Sequence, residues 1–232
     1  MDDGRFCHYE LRTKDVANAG AFYSKLFGAA FWSEHVTVVP LPEPAAARGA
    51  PSHWLGFIDV PNVEDMVLRI VERGGQRLGP TRQDGDGAPL AALRDPFGAV
   101  VGVSSGMSLA RSLPVAWHLL HTTDHQRAFA MYVCGALRLE CTKLVDLGPE
   151  LGCHQMFAWN GSGGLGSVAN TALLPHIHTH WQFYFRVTDL DASLARARAL
   201  GALVLAPVTA PTGARAAACD DPHGAAFGLY QD

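Results

Sequence analysis

Phe6-Cys7-His8-Tyr9-Glu10-Leu11-Arg12-Thr13-Lys14-Asp15 leads into a helical stretch with Phe22-Tyr23 and then Gly28-Ala29. From Val115 the same design returns as Val-Ala-Trp117-His118-Leu-Leu-His121-Thr-Thr-Asp124, a stretch with Met131-Tyr132, and Gly135-Ala136. Later pairs keep the order: His53-Trp54 with His180-Trp181, and Asp95-Pro96-Phe97-Gly98 with Asp221-Pro222-His223-Gly224. A repeat this long means one supersecondary design used twice. Each position can therefore be read against its mate in the other copy.

The flanking pattern supplies the elements. Residues 5–13 alternate as a strand does, and Asp15 is placed to cap a helix. Behind it Ala19, Phe22, Tyr23, Leu26 and Phe27 fall on one helical face, and Gly28 stops the helix. Residues 29–40 read as a strand, 40–51 as a Pro-rich loop, and 54–60 as a strand. Val63, Met66, Val67, Ile70 and Val71 repeat the helical spacing up to Gly74-Gly75. Asp-Pro-Phe-Gly then joins two antiparallel strands, because Pro presets one turn angle and Gly tolerates another. The second copy repeats this scheme, with strands expected near 137–146, 153–160, 165–172, 181–187, 202–208, 215–220 and 225–230. Domains are expected at 5–106 and 115–232, joined by a linker at 107–114. The class is α+β, with two paired βαβββ modules and a curved mixed sheet in each domain. From Gly28 to His53 there are 25 residues, and from Gly135 to His180 there are 45, so the first domain is short by about one hairpin.

The 232 residues are 48% hydrophobic with a net charge of −4, a globular composition without the basic footprint of a nucleic-acid binder. No apolar run reaches the roughly 18 residues of a membrane span. The first residues lack the basic and apolar blocks of a secretory signal. Five scattered cysteines form no Cys-x-x-Cys pair, and reduced thiols in a cytoplasmic protein are expected.

The string Phe-x-His-x-x-Leu-x-x-x-Asp, then Phe-Tyr and Leu-Phe-Gly, with a closing Asp-Pro-x-Gly-x-x-Phe-x-Leu, resembles the glyoxalase/bleomycin-resistance/extradiol dioxygenase group, the vicinal oxygen chelate superfamily. The likeness covers almost the whole chain. It implies two tandem glyoxalase-like domains whose sheets curl into cups that hold a small molecule. In most enzymes of the group a divalent metal sits at the base of the cup.

Such an ion needs about three to four protein donors. The resemblance places the first-strand ligand seven residues before the helix-capping Asp. His8 stands there in copy one, and Trp117 in copy two with His118 one step beyond. A one-residue step turns a side chain to the other face of a strand. The closing-strand position, normally Glu, is Gly102 and Gly228. The third falls near Leu55 and Gln182, with His53 and His180 within the uncertainty of loop length. The fourth, in copy two, falls at Ser167 or Asn170. No metal is therefore expected in either copy, with Zn, Ni, Mn or Fe as the alternative. The glycines suit close approach by a bulky flat ligand or relief of crowding in a filled cup.

Candidate ligand-binding residues are Trp117, His121, Gln182, Tyr184, Gly228 and Tyr230 in the second copy, with His8 and Glu10 in the first. Trp117 and His121 share a strand face and offer an aromatic wall with a polar handle. His8 and Glu10 share a face as an acid/base pair. His176, His178 and His180 have spacing that suits zinc chelation or a solvated loop entering a strand. Tyr23 and Tyr132 read as core. Gly161-Ser-Gly-Gly-Leu-Gly166 reads as a hairpin turn rather than a phosphate loop. The preferred reading is a metal-free small-molecule-binding protein without turnover, like the bleomycin-resistance branch, binding in the second cup. The alternatives are a metal-dependent lyase, isomerase or dioxygenase, and a scaffold that associates through its sheet edges, as in a homodimer.

Overall fold

A computed structural model describes residues 4–106, 114–135, 139–159 and 162–232. Except for Pro114, the expected linker lies outside them. The first copy runs β1 (Phe6–Thr13), α1 (Val16–Phe27), β2 (Val36–Pro40), α2 (Glu43–Ala47), β3 (His53–Asp59), α3 (Val63–Glu72), β4 (Gln76–Arg77), β5 (Arg82–Gln83), β6 (Pro89–Arg94) and β7 (Val100–Ser104). The second runs β8 (Val115–His121), α4 (His125–Gly135), β9 (Leu139–Asp146), β10 (Cys153–Trp159), β11 (Ser162–Ala169), β12 (His180–Arg186), α5 (Leu190–Ala199), β13 (Leu203–Val204), β14 (Val208–Thr209), β15 (Arg215–Asp220) and β16 (Ala226–Gln231).

Each copy supplies one mixed, curled sheet. The first has the order β2-β1-β3-β7-β6-β4, with β5 on β6. The second has the order β13-β15-β16-β12-β8-β11-β10-β9, with β14 on β15. Between α1 and β3 the first copy has β2 as its one strand, where the second copy has β9, β10 and β11 between α4 and β12, which accounts for the missing hairpin. The capping signals act as expected: Asp15 accepts from the Asn18 amide at 3.1 Å, Asp189 caps α5 in the same way, and Gly28 ends α1 with φ of 96°.

In the second copy the strand expected near 165–172 ends at Ala169, where Asn170–Leu173 forms a 3-10 turn, and that expected near 202–208 is the two short strands β13 and β14. Three details of the first copy also depart from the pattern. The strand expected at 29–40 starts only at Val36, because Ala29–Phe31 forms a 3-10 turn that stacks Phe31 on Phe27, 4.6 Å between centroids. The Pro-rich loop contains α2, whose Pro44 sits in the first turn, where no amide partner is needed. Val71 is exposed, although its spacing suggests the buried face of α3.

By packing, the chain falls into two compact units that do not follow the copies. Unit one takes the chain up to Cys7, Gly56 through β7, and His118–Trp181. Unit two takes His8–Leu55, the start of β8 through Trp117, and Gln182–Asp232. In unit one the Trp181 indole donates to the Tyr132 hydroxyl at 3.1 Å, which donates to Asp95 at 2.9 Å. Asp95 also accepts from the amides of Phe97 and Ala99, pinning the Asp-Pro-Phe-Gly turn. In unit two the Trp54 indole donates to the Tyr23 hydroxyl at 2.9 Å. Burial first, and then the charge of Asp221, push that phenol well above its ordinary value. In each unit a helix tyrosine of one copy thus meets the turn aspartate of the other. Both tyrosines are fully buried, as a core role requires.

Candidate functional site

Of the eight candidates, seven lie in unit two: His8, Glu10, Trp117, Gln182, Tyr184, Gly228 and Tyr230. β12 and β16 run parallel, with Tyr184 beside Gly228 and Arg186 beside Tyr230. Alternation puts Gln182 with Tyr184, and Gly228 with Tyr230. The rings of Trp117 and Tyr230 lie nearly parallel, 3° between planes and 6.3 Å between centroids. The Tyr230 hydroxyl meets the Thr212 hydroxyl at 2.7 Å. The Gln182 amide donates to the Phe227 carbonyl at 3.1 Å, and its oxygen stands 3.5 Å from the Tyr184 hydroxyl. Trp117, Gln182, Tyr184, Gly228 and Tyr230 are all buried, and burial pushes the Tyr184 phenol well up.

The glycines of the closing strands are covered by rings. A Cβ at Gly228 would lie 2.1 Å from the Tyr184 ring, and one at Gly102 would lie 2.3 Å from the Phe57 ring. A third pair, Gly166 under Phe157, repeats the device at 2.2 Å. In all three the ring stands on the strand position directly opposite the glycine. Of the two roles read from the sequence for these glycines, this geometry matches relief of crowding: the ring uses the space that the missing side chain leaves.

In unit two, β1 also brings Arg12 to Glu10. This residue escaped the sequence reading, although its two-residue spacing from Glu10 was a usable signal. His8 meets the Glu34 carbonyl and Thr37.

His121 lies in unit one. There its Nδ1 stands 2.6 Å from the Thr171 hydroxyl, and its ring stacks on His180 at 4.7 Å, with His178 on the other partner contact of His180 at 4.4 Å. His180 Nδ1 donates to the His178 carbonyl, and its buried Nε2 has no hydrogen-bond partner. Burial pushes His180 down to about 4. His176 and His178 stand in a loop before β12, not on a strand. His118 stacks on Phe6 (4.8 Å, 8°), behaving as a core ring. Ser167 is bonded to His154, and Asn170 accepts from the Cys153 amide. The Gly-rich segment is strand β11 from Ser162 onward, and Gly161 lies outside the described residues.

No family model matches the chain. A Mycobacterium tuberculosis protein provisionally named a glyoxylase, CFP32, is 29% identical over 249 residues, covering 96% of this chain and 92% of its own length. DauV from a Streptomyces species, named an anthracycline biosynthesis protein, is 26% identical over 96% of this chain and 91% of its own. The crystal structure of the 2,3-dioxygenase LapB from Pseudomonas sp. KL28 matches 100% of this chain and 93% of its own, with a TM-score of 0.65 at 12% identity. The chain has the fold of the glyoxalase and extradiol dioxygenase structures.

The superfamily's metal can be tested against the residues present. In the second copy Trp117 and Gly228 offer no donor, which leaves the Gln182 oxygen, 3.5 Å from the Tyr184 hydroxyl, as a single ligand atom among these positions. In the first copy Leu55 is apolar and buried, and the Phe57 ring fills the slot at Gly102. A carboxylate there would have to displace a packed aromatic ring. The donor set does not fit the ion. Among the described residues no group of three or more His, Cys, Asp or Glu has a metal-holding arrangement. No helix among them is long and apolar enough to cross a membrane.

Proposed function

We propose that the chain binds a flat, apolar or aromatic small molecule in unit two without a metal, between Trp117 and Tyr230. The observation that carries this reading is the near-parallel pair of rings at 6.3 Å. Rings stack at centroid separations of about 4.5–7 Å. A third ring between two others needs roughly 7 Å, two carbon contacts of about 3.5 Å each. The pair therefore stands at the wide end of direct stacking and close to the width of a clamp. Gln182 and Tyr184 supply the few polar groups that orient a ligand in an apolar site. Trp117 stands where the superfamily places its first metal ligand, so ring stacking replaces coordination as the source of affinity. The name of DauV supports a polycyclic aromatic ligand, and the name of CFP32 keeps the glyoxalase side of the superfamily in view. Binding here is sequestration, and turnover is not part of the reading.

The test is titration with an anthracycline, read by tryptophan fluorescence, beside metal analysis of protein purified without chelator. The expected result is saturable quenching that weakens up to about tenfold in Trp117→Ala, the value of one aromatic stack. Stoichiometric metal, or quenching that ignores Trp117→Ala, refutes the reading.

A further inference from the structure

Unit one holds a cavity that the aromatic clamp does not use. It has a volume of about 330 Å³ and lies where the loop between β9 and β10 meets the 3-10 turn at Asn170–Leu173. Its walls include Asp146, Pro149, Cys153, Asn170, Leu173 and Leu174, all within unit one. Ligand cavities begin at about 300 Å³, so the space suits a small molecule. The loop is braced by its own backbone: the Leu147 amide donates to the Gly152 carbonyl at 3.0 Å, and the Gly152 amide to the Gly148 carbonyl at 2.7 Å. A Cβ at Gly152 would lie 2.8 Å from Asn170 Oδ1, so glycine there lets the asparagine close on the loop. The first copy has no counterpart to the β9–β10 hairpin, and its sheet forms without it. The fold therefore does not require the loop that shapes this cavity.

The polar groups on its walls have defined states. Asn170 Oδ1 accepts from the Cys153 amide at 3.0 Å. A backbone amide only donates, so the side-chain oxygen must hold that place, and Nδ2 with its two N–H groups is left to the cavity. Asp146 accepts from the Gly148 amide at 2.9 Å and from the Cys153 thiol. Burial first, and then the charge of Asp146, hold that thiol above its ordinary value, so it stays protonated. An ionised carboxylate has about four acceptor positions, so Asp146 keeps capacity for a further donor. It makes no ion pair among the described residues. Cys153 bonds both groups, its thiol to Asp146 and its amide to Asn170, so the carboxylate and the free amide donors stand within one residue's reach of each other. Beside them Pro149, Leu173 and Leu174 form an apolar wall, and Leu173 is left 65% exposed.

We propose that this cavity binds a small amphipathic amino alcohol. Its ammonium donates to Asp146, its hydroxyl oxygen accepts from Asn170 Nδ2, and its hydrocarbon body covers Pro149, Leu173 and Leu174. The carboxylate selects the positive charge, and the fixed amide orientation selects an acceptor a short distance from it. An anion would face Asp146 with like charge, and a purely apolar molecule would leave both polar groups without partners. No bond is made or broken. The site does not depend on the clamp in unit two.

The experiment is calorimetric titration of the full chain with 2-amino-1-phenylethanol at pH 7, where an alkyl amine is charged. The expected result is saturable binding at millimolar ligand or below. Asp146→Asn keeps an oxygen for the Gly148 amide but removes the charge, and it should weaken binding by about tenfold or more. The analogue 1-phenylethanol, which lacks the ammonium, should bind the wild-type chain more weakly by a similar factor. The analogue 2-phenylethylamine, which lacks the hydroxyl, should bind about threefold more weakly, as should the parent ligand in Leu173→Ser. No saturable binding by the wild-type chain at millimolar ligand overturns the proposal, as does an affinity that folded Asp146→Asn leaves unchanged. If Asp146→Asn does not fold, the analogues and Leu173→Ser decide. Equal affinity for 2-amino-1-phenylethanol and 1-phenylethanol overturns the proposal, and so does an unchanged affinity in Leu173→Ser.

Discussion

Gly228→Ala tests whether an aromatic ring has taken the place of the superfamily's carboxylate. The added methyl would stand 2.1 Å from Cδ1 and 2.4 Å from Cε1 and Cγ of Tyr184. Ordinary carbon contacts begin near 3.5 Å, so the ring would have to retreat by more than about 1 Å. Tyr184 is buried, and its hydroxyl stands near Gln182, so the retreat must be taken up by packed neighbours. Overpacking of this kind costs about 1–3 kcal/mol. For a chain of this size each kcal/mol lowers the melting midpoint by about 2–4 °C, so a fall of roughly 2–12 °C is expected. The decisive comparison is the same substitution in a Tyr184→Ala background. Tyr184→Ala alone should cost about 3–5 kcal/mol through the cavity it leaves. With the ring gone the methyl has room, and Gly→Ala at an unstrained position gains about 0.4–1 kcal/mol from the unfolded chain. The sign of the Gly228→Ala effect should therefore reverse between the two backgrounds. Urea denaturation of the four proteins gives the coupling directly. Additive costs, or a Gly228→Ala protein as stable as wild type, would refute the idea that the ring occupies the slot. Gly102→Ala against Phe57→Ala repeats the test in unit one.

Three further outcomes follow from named contacts. Tyr132→Phe leaves the Trp181 indole and one Asp95 oxygen without their partner. Equilibrium unfolding should then show a loss of about 1–3 kcal/mol per buried group left unsatisfied, and a loss below 0.5 kcal/mol would count against the relay. His180 titrates near 4 in the folded chain against an ordinary 6.5, so its neutral form favours folding. That stability is complete above pH 6.5 and drains as pH falls toward 4, up to about 3 kcal/mol. His180→Phe should flatten this part of the stability profile between pH 7 and 4.5, and an unaltered slope would remove His180 as its source. Burial pushes Cys7 up to about 11 and Cys219 up to about 12, while Cys141 is exposed on β9. A thiol reagent at pH 8 should label Cys141 rapidly and the buried pair only after denaturation. Cys141→Ser should abolish the fast phase.

Much of the local design was open to reading from residues alone. Asp15 and Gly28 bound α1 because a capping oxygen and a positive φ are properties of those residues. The Asp-Pro-x-Gly turns and the shortened first copy were equally plain, since each depends on neighbours within a few positions or on a count. The turn at Ala29–Phe31 was not, because what bends the chain there is Phe31 stacking on Phe27, a packing event that strand-like composition does not record. The candidate site was legible by type but not by company. His121 shares a strand with Trp117, yet its ring contacts are His180 and Thr171 in unit one. Arg12 was passed over because its role depends on the side chain of Glu10.

By itself the sequence determined the repeated modules, the caps, the turns and the lack of side-chain donors at positions 102, 117 and 228, because each depends on local stereochemistry or on which atoms a residue carries. Only the tertiary structure decided that Phe57 and Tyr184 lie over the glycines, that Tyr132 reaches Asp95, and that Trp117 faces Tyr230. Strand register and packing bring these partners together across tens to more than a hundred residues of chain, and such distances leave no local trace in the order of amino acids.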